Sequence, residues 1–119
     1  MPEKSTSSVQ IFYPRFNREK VIQAISKNLD NLRREVPLLL VILFGSYAKG
    51  NYTVASDIDL LVIYEGEENK GVYAAVKRAF GIPNIEPHVY SKMEYERMKS
   101  TIEAMTKEGI TLFEAKKRI

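Results

Sequence analysis

Cysteine is absent from this chain of 119 residues, and histidine occurs once, at His88. Without cysteine, neither a disulfide framework nor a thiolate metal site can form. A single histidine cannot supply a set of nitrogen ligands. Any metal site in this protein must therefore be built mainly from oxygen ligands.

Long hydrophobic runs are also missing. No apolar run reaches the roughly 18 residues that a membrane span requires, and the start of the chain, M-P-E-K-S-T-S-S, lacks the apolar core of a signal peptide. We therefore expect a soluble cytoplasmic protein without a membrane partner.

The excess of positive over negative charge is small. Eighteen Lys and Arg residues against fifteen Asp and Glu residues give a net charge of +3, and these charges are spread along the chain. So modest a charge indicates no dedicated nucleic-acid surface, although a basic patch formed by folding stays open. Only the sequence pI of about 9.1 favours a nucleic-acid-binding domain.

What is present is typical of one globular domain. Hydrophobic residues make up 45% of the chain and charged residues 28%, and a chain of this length can bury a real core. We predict a partly ordered N-terminal segment over residues 1–16, a domain over residues 17–115 and a basic tail over residues 116–119.

Helical and strand patterns alternate along the predicted domain. Asn17 is a candidate N-cap, and the apolar stripe that follows it predicts a first helix that ends before Pro37. A short helical turn follows the first strand, a helix precedes the third strand, and a capped helix precedes the fourth. The four strands are predicted at Leu38–Phe44, Asp57–Tyr64, Ile85–Tyr90 and Ile110–Phe113. This order predicts an α/β domain.

Two details of the pattern make sharper predictions. Pro87 interrupts the third strand, which suits a sheet edge or a bulge. A capping box at Ser91 predicts one helix that ends at Gly109. Four apolar residues follow that box at helical spacing: Tyr95, Met98, Ile102 and Met105.

The loop between the first two strands carries the candidate functional residues. Asp57 and Asp59 are two residues apart, so their side chains share one face of the second strand. Adjacent carboxylates repel each other and lose hydration, and a divalent cation such as Mg²⁺ or Mn²⁺ removes both penalties. The alternative is an exposed strand start where two acids face water, because so short a pattern is common.

The same loop begins with a candidate phosphate-binding segment. Gly45 follows a buried strand and permits close backbone approach to a ligand. A helix starting after it would present free N–H groups to an anion. Ser46 adds a hydroxyl donor and Lys49 a positive charge. An ordinary tight turn is the alternative, and the acidic pair downstream makes it the weaker one.

A third acid is needed if bound metal is to activate a nucleophile. Glu86 in the third strand is the candidate, with His88 and Tyr90 on the same face. The alternative for Glu86 is a surface glutamate. For His88 we favour a surface or hydrogen-bonded histidine over a metal ligand.

The pattern G-S-x-A-x-G at residues 45–50, followed by S-D-I-D-L at residues 56–60, resembles the motif of the minimal nucleotidyltransferases of the DNA polymerase beta superfamily. The distinctive residues lie within residues 43–62 and, more weakly, within residues 85–96. The resemblance implies a mixed four-stranded sheet flanked by helices, the polymerase beta-like nucleotidyltransferase fold. It also implies transfer of a nucleoside monophosphate from a nucleoside triphosphate to a hydroxyl group.

The resemblance implies roles for individual residues as well. Asp57 and Asp59 would bind two Mg²⁺ ions, and Glu86 falls where the family has a third carboxylate, usually an aspartate. The implied catalytic and metal-binding residues are therefore Asp57, Asp59 and Glu86. Lys49 stands where arginine is common, which keeps the charge but not the bidentate fork. The implied nucleotide-binding residues are Gly45, Ser46, Lys49 and Ser56.

The resemblance finally implies partners. Small members of this family often act as the antitoxin of a helical HEPN-domain toxin, so we expect a nucleoside triphosphate and either a HEPN-type partner or a second copy of the chain. The leading hypothesis is a Mg²⁺-dependent nucleotidyltransferase, with AMP from ATP as the favoured group. The alternative is a non-catalytic antitoxin-like module that neutralises its partner by contact.

Overall fold

A computed structural model describes residues 17–53 and 55–115 of the chain. The helices of this part are α1 (Arg18–Glu35), α2 (Ser46–Lys49), α3 (Gly71–Phe80), α4 (Lys92–Arg97) and α5 (Lys99–Met105). The strands are β1 (Leu38–Phe44), β2 (Ile58–Tyr64), β3 (Ile85–Ser91) and β4 (Ile110–Glu114). The segments predicted over residues 1–16 and 116–119 lie outside the described residues, so the predicted domain boundaries stay predictions.

The four strands form one mixed sheet in the order β3-β2-β1-β4. β1 pairs in antiparallel fashion with β2 and with β4, whereas β2 and β3 are parallel. Parallel neighbours need a crossover connection, and α3 provides it. The predicted α/β architecture with a mixed four-stranded sheet and flanking helices is confirmed.

Both faces of the two central strands are covered. On one face, Leu60 and Val62 pack with the apolar stripes of α1 and α3. On the other face, Leu61 and Ile63 pack with Ile102 of α5. Because β1 and β2 lie between these layers, their sequences are almost continuously apolar, as strands buried on both faces require.

Two of the helices begin at the predicted caps. The Asn17 side chain accepts a hydrogen bond of 2.9 Å from the backbone N–H of Lys20. Ser91 and Glu94 form the reciprocal capping box at the start of α4. Among the described residues, no helix combines the length and the apolar character needed to cross a membrane.

The prediction of one continuous helix after Ser91 is wrong. The backbone leaves helical geometry at Met98 (φ −115°, ψ 22°), which separates α4 from α5. Met98 and Met105 are 38% and 36% exposed, whereas Ile102 of α5 is buried. Apolar spacing alone does not reveal such a break.

Gly109 is not the cap of this helix, since α5 ends at Met105 with Thr106 as its C-cap. The glycine instead lies where the chain approaches β1 closely. A Cβ at Gly109 would come within 2.5 Å of Ile42 Cγ2 and 2.9 Å of the Leu43 carbonyl oxygen. Close packing of backbone on the sheet is thus the reason for a glycine here.

Pro87 lies in β3, which is an edge strand. Proline cannot donate a backbone hydrogen bond, and an edge strand leaves one side of its ladder unpaired. The edge placement predicted for this strand is therefore confirmed.

We predict that Leu60→Ala lowers the free energy of unfolding by about 2–5 kcal/mol, because Leu60 is fully buried between the sheet and its helical layer. Urea denaturation followed by circular dichroism measures this. Glu67→Ala, in the exposed loop after β2, is the control and should change the value by less than about 0.5 kcal/mol. Equal effects of the two substitutions would contradict the assigned core.

Candidate active site

Three segments of the chain meet at one end of the sheet. β1 ends at Phe44, and Phe44 pairs with Asp59 near the start of the antiparallel β2. β3 starts beside β2, and Glu86 pairs with Asp59 in the parallel register. The loop after β1, the acidic start of β2 and the polar start of β3 are therefore neighbours.

Gly45 and Asp59 are in close contact. Gly45 has a φ of +77°, a conformation that residues with a side chain rarely adopt. A Cβ at this position would collide with Oδ2 of Asp59 and would lie 3.2 Å from its Cγ. The sequence needs glycine here for two reasons: the backbone turn itself and the carboxylate packed against it.

His88 contacts the other oxygen of the same carboxylate. Its Nε2 lies 3.2 Å from Oδ1 of Asp59, which is hydrogen-bond distance. Both side chains are partly shielded from water, with exposures of 30% for His88 and 28% for Asp59. The interpretation of His88 as a hydrogen-bonded histidine agrees with this contact.

Asp57 and Glu86 are placed at the same end of the sheet but are exposed. Asp57 directly precedes β2, and Glu86 shares the face of Asp59 because paired residues of neighbouring strands point to the same side. Among the described residues, no group of three or more His, Asp or Glu side chains is assembled to hold a metal ion. The structure thus brings Asp59 and His88 together and leaves the other two acids beside them.

The segment after β1 is anchored to α1. The Arg18 guanidinium donates a 2.8 Å hydrogen bond to the carbonyl oxygen of Ala48, and the backbone N–H of Arg18 donates to the Tyr52 hydroxyl at 3.1 Å. The rings of Tyr47 and Tyr52 stack with centroids 4.3 Å apart. Burial, and to a smaller extent Tyr52, raises the pKa of Tyr47. These contacts hold α2 against the body of the domain.

The candidate phosphate-binding side chains lie on α2. Ser46 is its first residue and is half-buried, and Lys49 is its last residue and is exposed. Gly50 then turns the chain in the left-handed conformation, with a φ of +87°. The predicted order of a glycine turn, a short helix and a second glycine is therefore present.

Ser56 has a structural role that its place in the motif did not suggest. Its hydroxyl accepts a 2.8 Å hydrogen bond from the backbone N–H of Thr53, and the backbone N–H of Ser56 donates to the Thr53 carbonyl oxygen. These bonds close the turn that leads into Asp57. Nucleotide binding by Ser56 stays a prediction.

Two contacts at this site were missed by sequence reasoning. Arg18 reaches Ala48 over a separation of 30 residues, and His88 reaches Asp59 over 29 residues. Strand alternation already placed His88 on the face of Glu86, which was the available signal. The pairing register of β2 and β3 was needed to bring it to Asp59.

The chemical type of the available ligands suits a divalent cation. Asp57 and Asp59 provide the carboxylate oxygens that Mg²⁺ and Mn²⁺ prefer, and the missing Cβ of Gly45 leaves room for the Asp59 carboxylate. Asp57 and Asp59 are the residues that would hold such an ion.

Similarity to solved structures defines the class of the protein. The chain is similar to a crystal structure of a "putative nucleotidyltransferase" from Sulfolobus solfataricus, with 25% identity and a TM-score of 0.61 over 85% of this chain and 86% of that chain. It shares its fold with a chain of the complex between a tri-AMPylated Shewanella oneidensis HEPN toxin and its MNT antitoxin. There the identity is 18% and the TM-score 0.52, over 79% of this chain and 73% of that chain. The fold is that of the nucleotidyltransferases.

The family follows from the sequence match. The family model of the nucleotidyltransferase domain matches residues 25–116, so the chain belongs to this family. A stretch of 47 residues is 45% identical to the Methanocaldococcus jannaschii protein named "Putative protein adenylyltransferase MJ0604". That match covers 40% of this chain and 46% of the relative, less than half of its length. The resemblance to nucleotidyltransferases is confirmed at the level of the family.

We predict that Gly45→Ala destabilises the protein more than Gly66→Ala. Both glycines have a positive φ, so a side chain at either position should cost on the order of 1–3 kcal/mol of backbone strain. Only the Cβ at Gly45 would meet Asp59, whereas Gly66 has open space around it. Urea denaturation of the two variants gives the free energies of unfolding to be compared. Equal losses would mean that the contact with Asp59 imposes no constraint.

Proposed function

We propose that this protein transfers a nucleoside monophosphate, with AMP from ATP as the favoured group, to a hydroxyl of a protein or another acceptor. The observation that carries the proposal is the meeting of the Gly45-Ser46 turn with the acidic start of β2, where Asp59 packs against Gly45. Family membership supports the type of reaction. The name of the Methanocaldococcus jannaschii relative supports an adenylyl group and a protein acceptor.

Each residue of the site has a proposed task. Gly45, Ser46 and Lys49 bind the triphosphate through a bare backbone, a hydroxyl and a positive charge, with Ser56 shaping the turn beside them. Asp57 and Asp59 hold Mg²⁺, or Mn²⁺ as the alternative. When bound, the cation neutralises charge on the α-phosphate and favours ionisation of the attacking hydroxyl.

The reaction is an in-line displacement at the α-phosphorus. The acceptor oxygen forms a bond to that phosphorus while the bond to the bridging oxygen of the β-phosphate breaks, and pyrophosphate leaves towards Ser46. Glu86 or Asp59 accepts the proton of the acceptor hydroxyl. Glu86 suits this task by its place next to Asp59 in the register of β2 and β3.

A HEPN-type protein is the proposed partner. The support is the fold shared with a chain of the Shewanella oneidensis toxin–antitoxin complex. A second copy of this chain is the other candidate partner, and the cytoplasmic setting of either pair stays a prediction.

A non-catalytic binding module is the second candidate function. It is favoured by the exposed positions of Asp57 and Glu86 and by the lack of an assembled three-acid group within residues 17–53 and 55–115. Such a module would neutralise its partner by contact and would not need Glu86. Comparing the two functions therefore requires variants at both positions.

We predict that the double variant Asp57→Asn with Asp59→Asn loses at least about a hundredfold in nucleotidyl transfer, because the carboxylates that hold the cation are gone. The assay combines each labelled nucleoside triphosphate, Mg²⁺ and a co-purified partner, followed by intact-mass measurement of both chains. Glu67→Gln with Glu68→Gln, two exposed acids of the loop after β2, is the control for lost charge. Unchanged transfer by the double variant would rule out this mechanism.

We predict that Glu86→Gln lowers the transfer rate by about 10²- to 10⁴-fold, the usual contribution of a general base. Binding of the nucleotide should change little, because the residues proposed for the triphosphate are Gly45 and two residues of α2, not residues of β3. Single-turnover kinetics measure the effect on the transfer rate, and calorimetry with a non-hydrolysable ATP analogue measures the effect on nucleotide binding. A variant that transfers at the wild-type rate would exclude Glu86 as the base.

A further inference from the structure

The proposed mechanism makes no use of His88, although its imidazole contacts Asp59. We propose that His88 is a positioning residue for Asp59. Its Nε2–H donates a hydrogen bond to Oδ1 of Asp59 and holds the carboxylate in one orientation beside Gly45. This inference rests on the proposed function, because it takes Asp59 to be the residue that binds the cation.

The two oxygens of Asp59 face different neighbours. Oδ1 lies 3.2 Å from Nε2 of His88, and Oδ2 lies where a side chain on Gly45 would otherwise be. Rotation of the carboxylate would therefore break the contact with His88. Because His88 and Gly45 hold the carboxylate from two sides, it loses less conformational freedom when a cation binds. This favours a higher affinity for the cation.

The imidazole is itself held in place. Its ring lies edge-on to the ring of Phe44, with centroids 5.0 Å apart and planes at 61°. Phe44 is buried with 7% exposure, so it offers a fixed surface. Partial shielding of the pair from water strengthens the hydrogen bond relative to one in open solvent.

The observations favour positioning over metal ligation by His88. Nε2 is the ring nitrogen within hydrogen-bond distance of Asp59, 3.2 Å from its Oδ1. While Nε2 donates its proton to this carboxylate, it has no lone pair to offer a metal ion. The nitrogen that faces the site is thus the one engaged with Oδ1.

Two substitutions separate the hydrogen bond from ring packing. His88→Phe keeps a ring against Phe44 but removes the donor, whereas His88→Gln places an amide donor near the position of Nε2 but removes the ring. We expect His88→Phe to weaken Mn²⁺ binding by about 10- to 100-fold, the usual effect of losing a residue that orients a metal ligand. His88→Gln should stay close to the wild-type affinity.

Electron paramagnetic resonance titration with Mn²⁺ alone gives these affinities without any turnover. Urea denaturation of the same variants shows that each is folded. If His88→Phe binds Mn²⁺ as well as the wild type, or if His88→Gln loses as much as His88→Phe, the hydrogen bond does not position Asp59 and the proposal is overturned.

A second measurement reads the bond directly. Because His88 is the single histidine of the chain, nitrogen-15 NMR of histidine-labelled full-length protein shows one imidazole. For the neutral imidazole we expect the tautomer with the proton on Nε2, before and after saturation with Mg²⁺. The opposite tautomer, or loss of the Nε2 proton when the cation binds, would overturn positioning in favour of ligation.

The two proposals fail in different ways. A wild-type protein that binds no Mn²⁺ would overturn the proposed cation-dependent function together with the positioning role. A wild-type protein that binds Mn²⁺ while His88→Phe binds it equally well would overturn the positioning role alone.

Discussion

The carboxylate of Asp59 lies between the backbone of Gly45 and the imidazole of His88, and the end of the sheet is built around this contact. Gly45 must lack a side chain and adopt a positive φ, so β1 ends there and the chain turns into α2. β3 must run parallel to β2 in a register that brings His88 within reach. One partly shielded carboxylate thus constrains two strands and one loop.

The rest of the site differs from this fixed centre. Asp59 is held on both sides, whereas Asp57 and Glu86 are exposed next to it. Carboxylates that crowd together repel one another and lose hydration, so exposure to water stabilises these two acids. The chain belongs to the nucleotidyltransferase family, and under the proposed function a cation and a nucleotide would complete the site.

Much of the fold could be predicted from local patterns. The strand at Leu38–Phe44, the cap at Asn17 and the edge position of Pro87 follow from the apolar run, side-chain chemistry and the missing N–H of proline. The continuous helix after Ser91 was the main error, because apolar spacing does not report the backbone break at Met98. Gly109 was misassigned for a related reason: its close approach to Ile42 is a contact between distant segments.

The sequence by itself determined the order of the elements and the candidate chemistry, since glycine turns, caps and the spacing of Asp57 and Asp59 act within a few residues. Only the tertiary structure decided which of these groups meet. A strand register is set by packing of whole faces, and a shift of one residue would turn every side chain to the other face. The contacts of His88 with Asp59 and of Arg18 with Ala48 depend on such long-range packing, which local spacing cannot specify.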